Sequence, residues 1–256
     1  MDRLEEILRV KRDEIERLRP RAAELDREAK ARTDFRGFRT ALESSDKTIA
    51  VIAEVKRASP SAGVIAEKFD PVEIARNYER NGANAVSVLT DTQFFQGKLQ
   101  DLAEVRDAVS IPLLRKDFVL DEVQIAESAA SGADAILLIV AVLEQKQLAD
   151  LLRATAQYQL DALVEVHTGE ELNRALDAGA KIVGINNRNL STFDVDLGVT
   201  QQLCRDVPDE IVLISESGIK TLPDVARVKA CGADAVLIGE ALMRGDISIE
   251  QVRGVI

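Results

Sequence analysis

Histidine occurs once in these 256 residues and cysteine only twice. One histidine excludes a three-histidine metal site, and a Ser–His–Asp triad built on His167 would need unusual support. Cys204 and Cys231 have no CxxC partner, which argues against a structural disulfide or a thiolate metal site and for reduced, passive thiols. Long apolar runs are missing too, so no membrane span is expected. The opening MDRLEEILRVKRDEIERLRPR is too charged for a signal peptide, and a cytoplasmic protein is the default. Positive charge is in deficit: 33 Lys and Arg face 44 Asp and Glu, for a net charge of −11. Non-specific nucleic-acid binding needs a basic face and is therefore not expected. A small anion is not excluded, because screening beyond about 8 Å leaves local charges to decide.

What is present is a repeated phrase. Gly82-Ala83 opens GANAVSVLTD, Gly132-Ala133 opens GADAILLIV, Gly179-Ala180 opens GAKIVGINN and Gly232-Ala233 opens GADAVLIGE. In each, an amphipathic stretch ends at glycine, which suits a helix C-cap, and a β-rich run follows. Between these joints lie IPLLRKDF, LDALVEVH and IVLISES, and TIAVIAEVKR stands in front. Eight strands alternating with helices, at about 25 residues per unit, predict a (β/α)8 TIM barrel, whose usual length is about 250 residues. A doubly wound open sheet shares the periodicity, but no GxGxxG turn follows the first strand. With 46% hydrophobic residues the chain can bury a large core, and residues 1–256 are expected to form one barrel domain. Residues 1–47 do not fit the unit. Leu4, Ile7, Leu8, Ile15 and Leu18 mark an amphipathic helix that Pro20 interrupts, and a second helix is expected over Arg21–Arg32. This N-terminal helical extension packs on the barrel, at an end the sequence does not specify.

Charges interrupt the strand runs. Side chains alternate along a strand, so Glu54 and Lys56 in VIAEVKR point one way while Ala53 and Val55 point the other. The apolar pair suits the helices, which leaves the charges facing the barrel axis. By the same alternation Lys116, Glu165 and Glu216 face inward late in their strands, as do Gly184, Asn186 and Arg188 in IVGINNRNL. An isolated E-x-K in a strand reads as a structural ion pair. Several such residues at successive C-terminal strand ends read as one site, because a buried charge is costly unless paired or used. Lysines and carboxylates held close shift one another's protonation, which points to acid–base chemistry. His167, two residues past Glu165, is expected at the turn or behind the reacting groups. Ser217-Gly218 and Gly239-Glu240 follow the last two strands, where barrels commonly hold phosphate, and Ser59 could add a hydroxyl. Taken alone, those glycines and serines are ordinary turn residues.

Together AEVKRASPSAGVI, SVLTDTQFFQG, LLRKDF, LVEVH, GINNRNL, SESGI and LIGEALM, in that order, resemble the indole-3-glycerol phosphate synthase family over essentially the whole chain. The resemblance implies cofactor-free and metal-free conversion of carboxyphenylamino-deoxyribulose phosphate into indole-3-glycerol phosphate, carbon dioxide and water. It implies Lys116 as general acid, Lys56 on the substrate carboxylate, Glu165 as base of the dehydration with Glu54 assisting, and Asn186 and Glu216 on hydroxyl groups and the lysines. Arg188 would support that wall. Ser59, Ser217, Gly218, Gly239 and Glu240 match phosphate-binding positions. Phe94, Phe95 and Phe118 lie where the family has aromatic residues near the anthranilate ring, with Phe94 and Phe118 taken as substrate contacts. Asp91 stands where the family usually has Glu, and Ala62 where it often has Lys. The only partner implied is the small phosphorylated substrate, with no nucleic acid and no membrane, and a monomer is expected ahead of an oligomer. The monofunctional form is expected rather than a fusion. Two rivals stay open: another sugar-phosphate barrel, an isomerase or an aldolase using Lys116 as a Schiff base, and a barrel that binds phosphate metabolites without turnover.

Overall fold

The computed structural model describes residues 3–43, 48–59, 63–64, 69–189, 192 and 194–255, with Ser59 and Val64 by backbone alone. Its sheet comprises β1 (Ala50–Val55), β2 (Ala85–Leu89), β3 (Leu113–Lys116), β4 (Ala135–Ile139), β5 (Asp161–Val166), β6 (Ile182–Asn186), β7 (Val212–Glu216) and β8 (Ala235–Ile238). Neighbours pair in parallel, and β1 bonds to both β2 and β8, which closes the barrel. The open-sheet alternative is thereby removed.

The four Gly-Ala phrases end helices in one way. Gly82, Gly132, Gly179 and Gly232 take φ of 87°, 93°, 91° and 92°. Each glycine N–H donates to the carbonyl three residues back and the next alanine N–H to the carbonyl five back, as Gly132 does to Ala129 and Ala133 to Ser128. This Schellman pattern satisfies the last helical carbonyls and turns the chain into the following strand. Strand alternation does the rest. Val51, Ala53, Val86, Val88, Ile136, Leu138, Val164, Val183 and Ile185 belong to the apolar shell under the helices. Ile52, Leu114, Leu137, Leu163, Ile214 and Leu237 fill the interior.

The extension spans the barrel from mouth to floor. Helix α1 (Arg3–Leu18) passes through a single 3-10 turn at Arg19–Arg21, which holds Pro20, into α2 (Ala22–Ala31). A third helix, α3 (Phe38–Leu42), was not expected from the sequence. Ile7 of α1 joins the interior cluster beside Phe118, and Leu25 of α2 packs with Val123 and Ala126 of the helix Glu122–Ala130. Between α2 and α3, Arg32 pairs with buried Asp134 at 2.8 Å. Phe38 and Leu42, fully buried, plug the opposite end of the barrel, where the Arg39 N–H donates to Asp161 at the start of β5. Among the described residues no helix is long and apolar enough to cross a membrane.

Candidate active site

Parity and strand length bring the charged residues together. Glu54 and Lys56 at the end of β1, Lys116 of β3, Glu165 of β5 and Asn186 of β6 line one cavity of about 260 Å³, whereas Glu216 of β7, expected beside them, is fully buried behind Lys116 and does not line it. They stand above the apolar interior, at the C-terminal ends of the strands. Room for them is made below: a Cβ on Gly184 would run into Glu216 Oε1 and lie 2.9 Å from Leu163.

The charges form two linked groups. Lys56 Nζ lies 2.7 Å from Glu54 Oε1. Lys116 Nζ hydrogen-bonds Glu216 Oε2 and lies 3.8 Å from Glu165 Oε2. Burial works against the Lys116 ammonium, but Glu216, Glu165 and Glu54 outweigh it and hold this lysine above its ordinary range. Burial likewise opposes charge on Glu54, yet Lys56 and Lys116 keep its carboxylate below the usual value. Glu216 goes the other way. Burial and the charges of Glu165 and Glu54 push it up to about 7, against the pull of Lys116. The cavity therefore holds a fixed cation and a fixed anion, and behind Lys116 a carboxyl whose charge is opposed by burial and by its neighbours.

The opposite wall is backbone. Ser217 takes φ 63° and Gly218 φ 79° just after β7. A non-glycine residue in the left-handed region is strained and persists only when its surroundings enforce it. Asn187 does so: its Nδ2 donates to the carbonyls of Glu216 at 2.9 Å and Ser217 at 3.2 Å, while its Oδ1 accepts from Thr200. After β8, Gly239 lets the chain pass close to β1. A Cβ there would lie 2.5 Å from Glu54 Oε1 and 3.1 Å from Lys56 Nζ. Glu240 turns its carboxylate to Arg244, at 2.8 Å, and so away from the backbone it follows. Lys220 and Arg244 also line the cavity. Gly239→Ala is expected to lower kcat/KM about 100-fold by displacing the Glu54–Lys56 pair, with thermal unfolding little changed; steady-state kinetics beside a melting curve checks both.

The aromatic assignments separate. Phe95 and Phe118 line the cavity, their ring centroids 6.4 Å apart. Phe94, expected as a substrate contact, is not among the lining residues; it packs with Leu4 and Leu8 against the interior cluster. Both phenylalanines are fixed through Asp91, whose Oδ1 accepts the N–H of Phe94 at 2.7 Å and of Phe95 at 3.1 Å. Arg188 lines the cavity, with its N–H on Asn186 Oδ1 at 3.0 Å. The side chain of Ser59, and Ala62 as a whole, lie outside the described residues.

A family model described as indole-3-glycerol phosphate synthase matches residues 4–255. The chain belongs to the indole-3-glycerol phosphate synthase family. Its enzymes are carboxy-lyases of tryptophan biosynthesis. The chain is similar to the indole-3-glycerol phosphate synthase of Chlorobium phaeovibrioides, 51% identical over 245 residues that cover 94% of this chain and 95% of that one. The synthase of a Roseiflexus species is 50% identical over 256 residues, covering 96% and 95%. That of Priestia megaterium is 48% identical over 244 residues, covering 95% and 93%.

Two residues of this synthase-family site escaped the sequence reading. Asn187 points outward from β6 beside the inward Asn186, and nothing in NN distinguishes the two jobs except strand parity. Lys11 sits in the charged run RVKRDE, which reads as a solvated helix face. Yet it is 2% exposed, with Nζ 2.9 Å from Asp91, 2.8 Å from Asp117 and 2.8 Å from Glu14. It ties α1 to the loops after β2 and β3 at the mouth of the cavity.

Proposed function

We propose that this cavity closes the indole ring of carboxyphenylamino-deoxyribulose phosphate, with loss of carbon dioxide and water. The observation that carries the reading is the convergence of Lys116, Glu165, Glu54 and Lys56 in one enclosed space with the two backbone turns opposite. The phosphate lies against Ser217-Gly218 and Gly239-Glu240, whose N–H groups and neighbouring cations suit an anion. The anthranilate ring lies toward Phe95 and Phe118. Lys116 protonates the ketone oxygen as the ring carbon attacks it. Negative charge grows on that oxygen, and an ammonium already fixed by two carboxylates stabilises it without reorganising. Lys56, oriented by Glu54, meets the substrate carboxylate before decarboxylation and protonates the departing hydroxyl. Glu165 removes the proton that completes the aromatic ring. Asn186 and Arg188 hold substrate hydroxyls from the cavity wall, and Glu216 behind it holds Lys116 in place.

Lys116 also bears on the aldolase rival. A Schiff-base lysine must give up its proton to become a nucleophile, usually because a second cation or dry apolar surroundings lower its pKa. Here carboxylates raise it instead. That favours an acid over a nucleophile.

The direct test is incubation with the carboxyphenylamino substrate while indole fluorescence is followed. Ligand binding without turnover would overturn the reading. Glu165→Gln should let ring closure proceed and slow dehydration by about 10²- to 10⁴-fold, seen as carbon dioxide released ahead of indole. Unchanged kinetics would remove Glu165 from the base role.

A further inference from the structure

Glu165 has a second neighbour that the acid–base scheme leaves unused. β5 and its extension place Leu163, Glu165 and His167 on one side, and His167 is the only histidine of the chain. Its Nε2 lies 3.5 Å from Glu165 Oε1, and its Nδ1 lies 3.2 Å from Oε2 of Glu171 in the first turn of the helix Gly169–Asp177. The same Glu171 oxygen accepts the backbone N–H of His167 at 2.7 Å, which fixes the far side of the ring. Glu165 Oε1 and His167 Nε2 are both buried without a hydrogen-bond partner among the described residues, so their mutual approach is what each has. Two buried polar atoms left facing each other call for a reason.

Proton counting supplies one. A neutral imidazole carries one N–H and one lone pair, so either tautomer would aim a lone pair at a carboxylate oxygen. Only the imidazolium donates to both sides. The charged groups around it are Glu165 and Glu171 on either side, Glu216 from β7 beyond Glu165, Lys116 from β3 at the other oxygen of Glu165, and Arg174, whose charge acts on Glu171 from the same helix. Burial opposes the cation, but the bond to Glu171 and the charges of Glu165, Glu171 and Glu216 outweigh it and raise His167 above the ordinary histidine range.

We propose that His167 is a positioning residue for the dehydration. Clamped by Glu171 and doubly protonated, it holds Glu165 Oε1 so that Oε2, the oxygen nearer Lys116, takes the substrate proton. This rests on Glu165 being the base. The proton passes from substrate carbon to Oε2, the C–H electron pair becomes the ring double bond, and the hydroxyl leaves as water with a proton from Lys56. His167 keeps both of its protons throughout and loses one only as pH rises.

With a single histidine, the imidazole signals of the whole untagged chain need no assignment, and NMR titration reads His167 directly. Its midpoint is expected above the ordinary value of about 6.5 and should fall in both Glu165→Gln and Glu171→Gln. The single-turnover rate of indole formation should decline as pH rises through that same midpoint, with KM unmoved. His167→Ala should lower the neutral-pH rate roughly 10- to 100-fold. His167→Gln, which keeps a donor near the Nε2 position but does not titrate, should restore much of the rate without the alkaline decline. A wild-type midpoint at or below 6.5, or one unmoved by Glu165→Gln, would overturn the proposal. So would a His167→Ala rate and pH profile matching wild type; if Glu165→Gln were still blocked at dehydration, the base role would stand and only the clamp would fall. Full dehydration by Glu165→Gln would sink both.

Discussion

Lys116→Ala is expected to cut indole formation by about 10³- to 10⁴-fold, roughly 4 to 5.5 kcal/mol of lost transition-state stabilisation, with little change in substrate affinity. Charge development on the ketone oxygen sets the size of the loss. In the bound substrate the ketone oxygen is nearly neutral and gains little from an ammonium. In the ring-closing transition state it carries growing negative charge beside an ammonium already held in place by Glu216 and Glu165, so the interaction strengthens mainly there. The loss should therefore fall on kcat rather than KM, with affinity read by calorimetry on the inactive variant. Removing Lys116 also takes away the cation that opposes the upward push on Glu216, which should then keep its proton at neutral pH. Lys116→Arg keeps the charge but spreads it over a rigid planar fork with different donor directions. It should restore the ionisation of Glu216 without restoring the rate, and turnover close to wild type in Lys116→Ala would refute the acid assignment.

How far the sequence disclosed this site follows from what repeats and what does not. The four glycine caps recur with one geometry, and a barrel strand buries both faces while leaving its C-terminal end to the pocket. Alternation alone therefore sent Glu54, Lys116, Glu165 and Glu216 to the same side. Loops carry no such period. Phe94 and Phe95 are adjacent, and which of them meets the cavity depends on how Asp91 accepts both their N–H groups. Phe38 and Leu42 lie in a five-residue helix, too short to show an amphipathic repeat, so the floor plug stayed hidden. His167 shares the parity of Glu165, but its role depends on Glu171, which belongs to the next helix. Burial of Lys11 depends on two carboxylates about 80 and 106 residues away along the chain, and no local pattern reports that.

Lys11→Met is expected to destabilise the fold by about 3–5 kcal/mol, the usual consequence of removing one partner from a buried ionic group. The carboxylates differ in what they keep. Asp117 retains Arg115 at 3.3 Å and the Thr90 hydroxyl at 2.6 Å. Asp91, fully buried, retains the two loop N–H groups on Oδ1, but its Oδ2 has no other partner among the described residues. Burial opposes the Lys11 ammonium and the charges of Asp117 and Asp91 outweigh it, so the folded state holds this proton more tightly than the unfolded chain does. A raised folded value means the stabilisation is complete below the ordinary 10.5 and is lost only as pH climbs beyond it. The loss in Lys11→Met should thus be seen throughout the neutral range by urea unfolding. Adding Asp91→Asn removes the stranded charge and should recover part of the loss, and a double-mutant cycle measures the coupling. Since Asp91 also sets the loop carrying Phe95, Lys11→Met should raise KM even at temperatures where the protein stays folded. Normal stability and normal KM together would show that α1 is held at the mouth by its apolar face alone.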